Sequence, residues 1–98
     1  MPFEDRQDLL EHFADHWDEF GVGTPEEYER LADAFMFGPL SANIEECVRV
    51  QGGFCRYDRD TQEYGTVNAQ GFLCTYFIPD PAIHGERTNL EYFHKRCR

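Results

Sequence analysis

The chain has 98 residues, of which 41% are apolar and 15% aromatic, so it suits one small globular domain and not a disordered segment. Nineteen acidic and nine basic residues give a net charge of −10, which argues against a free-standing nucleic-acid-binding module. No apolar run approaches the roughly 20 residues of a membrane span. The first residues lack the basic and apolar regions of a secretory signal peptide, which predicts a cytoplasmic protein.

Two amphipathic helices are predicted in the first part of the chain. The first covers residues 5–20, where apolar residues recur every three or four positions: Leu9, Leu10, Phe13, Trp17 and Phe20. The second begins after Thr24, which can cap it together with Glu27, and Pro25 suits its first position. Gly38 ends it. A short loop joins the two, so they are expected to form a helical hairpin.

Four strands and a short helix are predicted in the second part. The strands are residues 46–51, 54–57, 63–67 and 72–78, with turns between them. The last strand is apolar on both faces, which is typical of a central strand. A capping pair, Thr88 and Glu91, begins the short C-terminal helix. The pattern predicts an α+β fold: a single domain over residues 1–98 in which the N-terminal helical hairpin and the short C-terminal helix pack on one face of a four-stranded antiparallel sheet.

The charge is distributed unevenly along the chain. Residues 1–46 contain 13 acidic and two basic residues, whereas residues 47–98 contain six acidic and seven basic residues. An anion-binding site is therefore expected mainly in the second half. The acidic first half is most simply a solvated face.

The cysteines are Cys47, Cys55, Cys74 and Cys97, and they are widely spaced. No Cys-x-x-Cys pair is present, so a zinc knuckle is not expected. Without a secretory signal, four free thiols are the favoured expectation, although the even number would permit two disulfides.

Four histidines are candidates for acid–base chemistry because imidazole titrates near neutrality. His16 is expected at the edge of the apolar stripe of the first helix, and His12, one turn earlier, further towards solvent. His84 is placed in a loop and His94 on the last helix. Each has a simpler interpretation as a packed or surface histidine. The spacing of His12 and His16 permits zinc, but Phe13 stands where a metalloprotease motif has glutamate, and no metal site is predicted.

The strands carry further polar candidates. Arg56 lies beside Tyr57 in an otherwise apolar strand, where it either pairs with a carboxylate at an edge or faces an anion-binding site. Thr75 and Tyr76 direct two hydroxyl groups to opposite faces of the last strand, so at least one needs a partner or solvent.

The order of these motifs resembles a known family of small nucleases. It is similar to the barnase–EndoU–colicin–RelE (BECR) type ribonuclease domains found at the C-terminal ends of polymorphic and contact-dependent bacterial toxins. The resemblance extends over roughly residues 9–94. It rests on the segments 12–16, 20–21, 24–35, 56–58, 63–65, 75–77 and 90–93, together with Thr61, Gly71 and Pro79.

The resemblance implies metal-independent cleavage of RNA without a cofactor, with tRNA or another structured RNA as substrate and a cognate immunity protein as partner. It implies His16 as the acid or base and Arg56 as the phosphate stabiliser. Tyr57 matches the same strand motif as Arg56. Thr75 and Tyr76 would orient the phosphate. Residues His12, His84 and His94 are possible second titrating groups.

A different class of function is also compatible with the sequence. The strong negative charge would suit a catalytically inactive binding or regulatory protein that pairs with a basic partner, as antitoxins and immunity proteins do. Cleavage of RNA separates the two hypotheses.

Overall fold

The structure is a computed structural model that describes residues 2–97. It contains a four-stranded antiparallel sheet with strands in chain order: β1 (Ile44–Val48), β2 (Phe54–Asp58), β3 (Tyr64–Val67) and β4 (Leu73–Phe77). Four helices accompany the sheet: α1 (Arg6–Phe20), α2 (Pro25–Phe37), α3 (Pro81–His84) and α4 (Asn89–Arg96). The predicted α+β class is confirmed, with N-terminal helices and a short C-terminal helix.

The helix ends follow the local signals in the sequence. The Thr24 hydroxyl accepts a hydrogen bond from the Glu27 amide at the start of α2, and Thr88 accepts one from the Glu91 amide at the start of α4. Gly21 ends α1 in the left-handed conformation, with φ of 65°. The four-residue helix α3, which was expected to be loop, begins at Asp80, whose side chain accepts from the Ala82 amide.

Helices cover both faces of the sheet, which differs from the expected arrangement on one face. One core cluster lies between the sheet and the α1–α2 hairpin and includes Tyr28, Met36 and Tyr76. A second cluster lies on the opposite face, where Phe93 of α4 packs against Tyr57. Because side chains alternate along a strand, each strand contributes to both clusters.

Strand β4 lies at the edge of the sheet, so its predicted central position is wrong. Its apolar character has another cause, since Tyr76 is buried against the helical hairpin while Phe77 packs in the opposite cluster. The N-terminal segment also shields the outer edge, where the Leu73 amide donates to the Pro2 carbonyl at 3.0 Å. Coverage from three sides gives an edge strand the composition of a central one.

The apolar stripe of α1 is only partly buried. Leu9 is buried, and Phe13 and Phe20 pack against the core cluster of the hairpin. Trp17 remains 49% exposed, and Leu10 is also exposed. The helix therefore contacts the core along a narrower face than its periodicity predicted.

Cys47 and Cys97 form a disulfide, so the prediction of four free thiols is wrong. The bond links β1 to the residue after α4, with the two Cα atoms 6.1 Å apart. Cys55 and Cys74 are free. Fifty positions separate the bonded pair in the sequence, and only the packing of α4 on the sheet brings them together.

Candidate functional site

A cavity of about 540 Å³ lies where the C-terminal half of α1, the end of β4, α3 and α4 meet. We call it the histidine cavity. It is lined by His16, Glu19, Phe77, Ile78, Asp80, Ile83, His84, Tyr92 and Arg96. Two of the four candidate histidines therefore share one concave surface.

His16 and Glu19 form a hydrogen-bonded pair at this cavity. Nδ1 of His16 lies 2.6 Å from Oε2 of Glu19, one turn further along α1. The other carboxylate oxygen of Glu19 accepts the Ile78 amide at 2.7 Å, which fixes the carboxylate. The His16 ring stacks on Phe77 with centroids 5.1 Å apart. A carboxylate on Nδ1 favours the proton at that nitrogen and leaves Nε2 as the base.

Nε2 of His16 makes no hydrogen bond to another residue within 2–97, so it is available to a ligand. Both nitrogens of His84 are engaged. Its Nδ1 accepts the Glu86 amide at 3.0 Å, and its Nε2 lies 2.9 Å from Oδ1 of Asn89. Since Nδ1 accepts, Nε2 is the nitrogen that donates to Asn89. Of these two histidines, His16 is the one placed to exchange a proton.

A second cavity, of about 380 Å³, adjoins the first on the α4 face of the sheet. We call it the arginine cavity. Phe77, Tyr92 and Arg96 line both cavities. Its other lining residues are Arg49, Tyr64, Thr66, Cys74 and Thr75. The lining carries two arginines and no carboxylate, in a protein with a net charge of −10.

The hydroxyl groups of the arginine cavity are ordered by contacts across the strands. The Thr75 and Thr66 hydroxyl oxygens lie 2.7 Å apart, so one donates to the other. Arg49 Nη2 donates to the Tyr64 hydroxyl at 3.4 Å. Burial raises the pKa of Tyr64 well above its usual value, so that hydroxyl stays protonated. Thr75, a predicted site residue, lines the arginine cavity and so lies beside the histidine cavity.

Tyr76 does not reach either cavity. Its ring stacks on Phe20 beneath the helical hairpin, and its hydroxyl donates to the Glu63 carboxylate. Burial is the main cause that raises the pKa of the Tyr76 hydroxyl far above its usual range, and the Glu63 carboxylate raises it further. The structure places Thr75 and Tyr76 on opposite faces of β4, as their adjacency in a strand predicted.

Arg56 also faces the helical hairpin and not the cavities. Its side chain is 9% exposed, and Nη1 donates to the carbonyls of Phe35 at 3.0 Å and Gly38 at 2.8 Å. Its Nε donates to Glu46 at 2.9 Å. These are carbonyls at the end of α2, which lack partners within the helix. The guanidinium is thus occupied in capping α2 and pairing with Glu46.

Tyr57 is buried beneath Phe93 on the α4 face, with ring centroids 5.8 Å apart. Its hydroxyl donates to Oε1 of Gln62 at 2.7 Å, and the same oxygen accepts Asn89 Nδ2 at 3.0 Å. Asn89 in turn bonds to His84. Tyr57 is therefore connected to the histidine cavity through three side chains, without lining it.

The two remaining histidines lie outside both cavities. His12 Nε2 is 3.4 Å from the Asp8 carboxylate, and its ring stacks on Phe3. The side chains of His12 and His16 are equally exposed, 22% and 23%, so the expected difference between them is wrong. The N-terminal segment covers His12, which helical periodicity alone does not reveal. His94 is exposed on α4 beside Phe93.

Sequence reasoning missed Glu19, Arg49 and Arg96. Glu19 follows His16 by three residues, and residues at this spacing are neighbours on a helix, so the sequence did indicate that the two side chains could pair. Arg49 and Arg96 carried no local signal, since they are adjacent only through the packing of α4 on the sheet.

Residues 2–97 contain no group of three or more His, Cys, Asp or Glu side chains arranged to hold a metal ion. Within the same residues, no helix has the length and apolar character needed to cross a membrane. No protein-family model matches the sequence, and no curated protein matches it.

Proposed function

We propose that the chain is a toxin-type, metal-independent endoribonuclease in which His16 is the general base. The observation that carries this proposal is the Glu19–His16 pair in the lining of the histidine cavity, where Nε2 of His16 has no hydrogen-bond partner within residues 2–97. Arg96 lines the same cavity, and Arg49 lines the adjoining one. The resemblance of the sequence to BECR domains supports it and points to tRNA or another structured RNA as substrate.

In this mechanism the RNA supplies its own nucleophile. Nε2 of His16 takes the proton of a ribose 2′-hydroxyl, and the 2′-oxygen attacks the adjacent phosphorus. The bond from phosphorus to the 5′-oxygen breaks, which leaves a 2′,3′-cyclic phosphate and a 5′-hydroxyl. Water protonates the departing oxygen, since both nitrogens of His84 are engaged. The imidazolium of His16 then returns its proton to solvent.

Glu19 is a positioning residue in this scheme. Its carboxylate holds the His16 ring and stabilises the imidazolium that forms when Nε2 takes the proton. Thr75, which lines the arginine cavity, orients the phosphate in this scheme.

The test is incubation of the purified chain with total RNA and with tRNA, with and without EDTA, followed by gel electrophoresis. We expect cleavage that EDTA does not reduce, with products that end in a 2′,3′-cyclic phosphate. RNA left intact by a stoichiometric amount of protein at several pH values would overturn the proposal. That result would favour the alternative function, an acidic binding protein with a basic protein as its partner.

A further inference from the structure

We infer that Arg49 and Arg96 form a binding subsite for a phosphodiester anion, and that the Cys47–Cys97 disulfide holds the two arginines together. The inference deepens the proposed function and rests on it for RNA as the source of the phosphodiester. The subsite itself follows from charge, burial and connectivity in the arginine cavity.

The two arginines differ from most described cations in having no carboxylate partner within residues 2–97. Five other basic side chains each pair with a carboxylate: Arg6 with Glu26, Arg56 with Glu46, Arg59 with Glu45, Arg87 with Glu91, and Lys95 with Glu86. In so acidic a protein, a cavity whose lining contains two arginines and no carboxylate has a local excess of positive charge. Such a concave cationic surface attracts anions.

Arg49 also has an unused hydrogen-bond donor. Its Nε is buried and makes no hydrogen bond, while Nη2 donates to the Tyr64 hydroxyl at 3.4 Å. A buried donor without an acceptor is costly, and an anion that accepts from Nε would remove that cost. The guanidinium of Arg96 lies over the Tyr92 ring, 5.3 Å from its centroid. Planar guanidinium groups suit the paired oxygens of a phosphate.

The disulfide joins the segments that carry these arginines. Cys47 precedes Arg49 by two residues, and Cys97 directly follows Arg96. Strand β1 is at the edge of the sheet and α4 has only eight residues, so the bond is the covalent link that fixes one segment against the other. Opening it would let the last turn of α4 move away from β1 and separate the two charges.

A dithiol reductant opens the bond in two exchange steps. One thiolate of the reductant attacks a sulfur of the disulfide, and the other protein sulfur leaves as a thiolate. The second thiol of the reductant then resolves the mixed disulfide. The reductant is oxidised by two electrons to its own disulfide, and two protons end on Cys47 and Cys97. The subsite is therefore expected to be sensitive to redox conditions.

The experiment measures binding of a short, fluorescently labelled 2′-O-methyl oligoribonucleotide to the full chain by fluorescence anisotropy. This probe has phosphodiesters but no free 2′-hydroxyl, so the proposed reaction cannot consume it. We expect dithiothreitol to weaken binding about tenfold, because separating the arginines costs the complex roughly one charge-assisted hydrogen bond. In the oxidised chain, Arg49→Gln and Arg96→Gln should each weaken it by about the same factor. Arg87→Gln, an equal charge change outside the cavity, should bind as wild type.

A Cys47→Ser, Cys97→Ser double variant should bind like the reduced wild type and show no response to dithiothreitol. Circular dichroism monitors folding. If reduction unfolds the chain, binding by the arginine variants in the oxidised state is the test of the subsite. Unchanged binding in both arginine variants would overturn the subsite, and equal affinity of folded oxidised and reduced protein would overturn the role of the disulfide. Binding that depends on both arginines, in a chain that leaves RNA intact, would refute the proposed function alone.

Discussion

His12 and His16 lie one turn apart on α1 and are equally exposed, yet their surroundings differ. His12 pairs with Asp8 and stacks on Phe3, whereas His16 pairs with Glu19 and lines a cavity. Of these two similar residues on one helix, His16 is the one that lines the histidine cavity.

Replacing His16 with asparagine is expected to lower the rate of RNA cleavage by roughly 10²–10⁴-fold, the usual contribution of a general base. The melting temperature should change little, because the side chain is half-buried and fills little core volume. The initial rate of RNA cleavage and a thermal melt are measured for each variant. His12→Asn is the matched control and should cleave RNA as fast as wild type. Full activity of His16→Asn would remove its assignment.

The contacts of Arg56 favour a structural role over the predicted role as a phosphate ligand. Its guanidinium satisfies two carbonyls at the end of α2 and the Glu46 carboxylate. We therefore predict that Arg56→Met lowers the free energy of unfolding by about 2–3 kcal/mol, because those acceptors lose their donor. Arg56→Lys should also be less stable, since one ammonium cannot replace the planar guanidinium.

Urea denaturation of Arg56→Met measures this change. Arg6→Met is the control, because the ion pair of Arg6 with Glu26 is largely exposed and contributes little. Wild-type stability of Arg56→Met combined with lost RNA binding would restore the original interpretation of Arg56.

At the scale of the elements, the turn between β2 and β3 depends on one carboxylate. Oδ1 of Asp58 accepts the amides of Asp60 at 2.8 Å and Thr61 at 3.0 Å, and Nδ2 of Asn43 at 2.7 Å. Burial alone would raise the pKa of Asp58, but these hydrogen bonds outweigh it and hold the pKa below its usual value. The ionised form therefore stabilises the turn.

Because the pKa of Asp58 is lower in the folded state, its contribution to stability is complete above the unfolded pKa of about 3.9 and is lost as the pH falls through the folded value. We predict that Asp58→Asn lowers the free energy of unfolding at pH 7 by about 1–2 kcal/mol, because hydrogen bonds to a neutral amide are weaker than hydrogen bonds to a carboxylate. The gap between the variant and wild type should close as the pH falls below about 4. Denaturant titrations at several pH values test this, and a gap independent of pH would contradict it.

At the scale of the whole molecule, a strongly acidic chain has one cavity whose lining, within residues 2–97, contains two arginines and no carboxylate. Two phosphate contacts predict a slope of about −1.4 for the logarithm of affinity for single-stranded RNA against the logarithm of salt concentration. Repulsion from the acidic helices, which salt screens, should make the slope shallower still. Binding of the 2′-O-methyl oligonucleotide at several salt concentrations measures it. A slope of about −3 or steeper would mean phosphate contacts beyond the two arginines.

Local order was predictable from the sequence because its causes lie within a few residues. The caps at Thr24 and Thr88, the left-handed Gly21 and strands β2 to β4 are fixed by neighbouring residues and by period-two or period-3.6 patterns. The bounds of β1 were predicted wrongly, since the strand covers Ile44–Val48 and not residues 46–51. The α+β class follows from that order of elements. His16 was found for the same reason, as a polar residue at the edge of an apolar stripe.

The environment of each side chain depended on contacts that are distant in sequence. Alternation places Arg56 and Tyr57 on opposite faces of β2, but only the packing of α2 and α4 decides what covers each face. Glu19 is fixed by the Ile78 amide, 59 positions away, and Cys47 meets Cys97 across 50. The sequence determined which residues form helices and strands, whereas the tertiary structure decided that Arg56 caps a helix while Arg49 and Arg96 line a cavity. Strand periodicity specifies only that neighbouring side chains face opposite ways, and packing determines which face is left open.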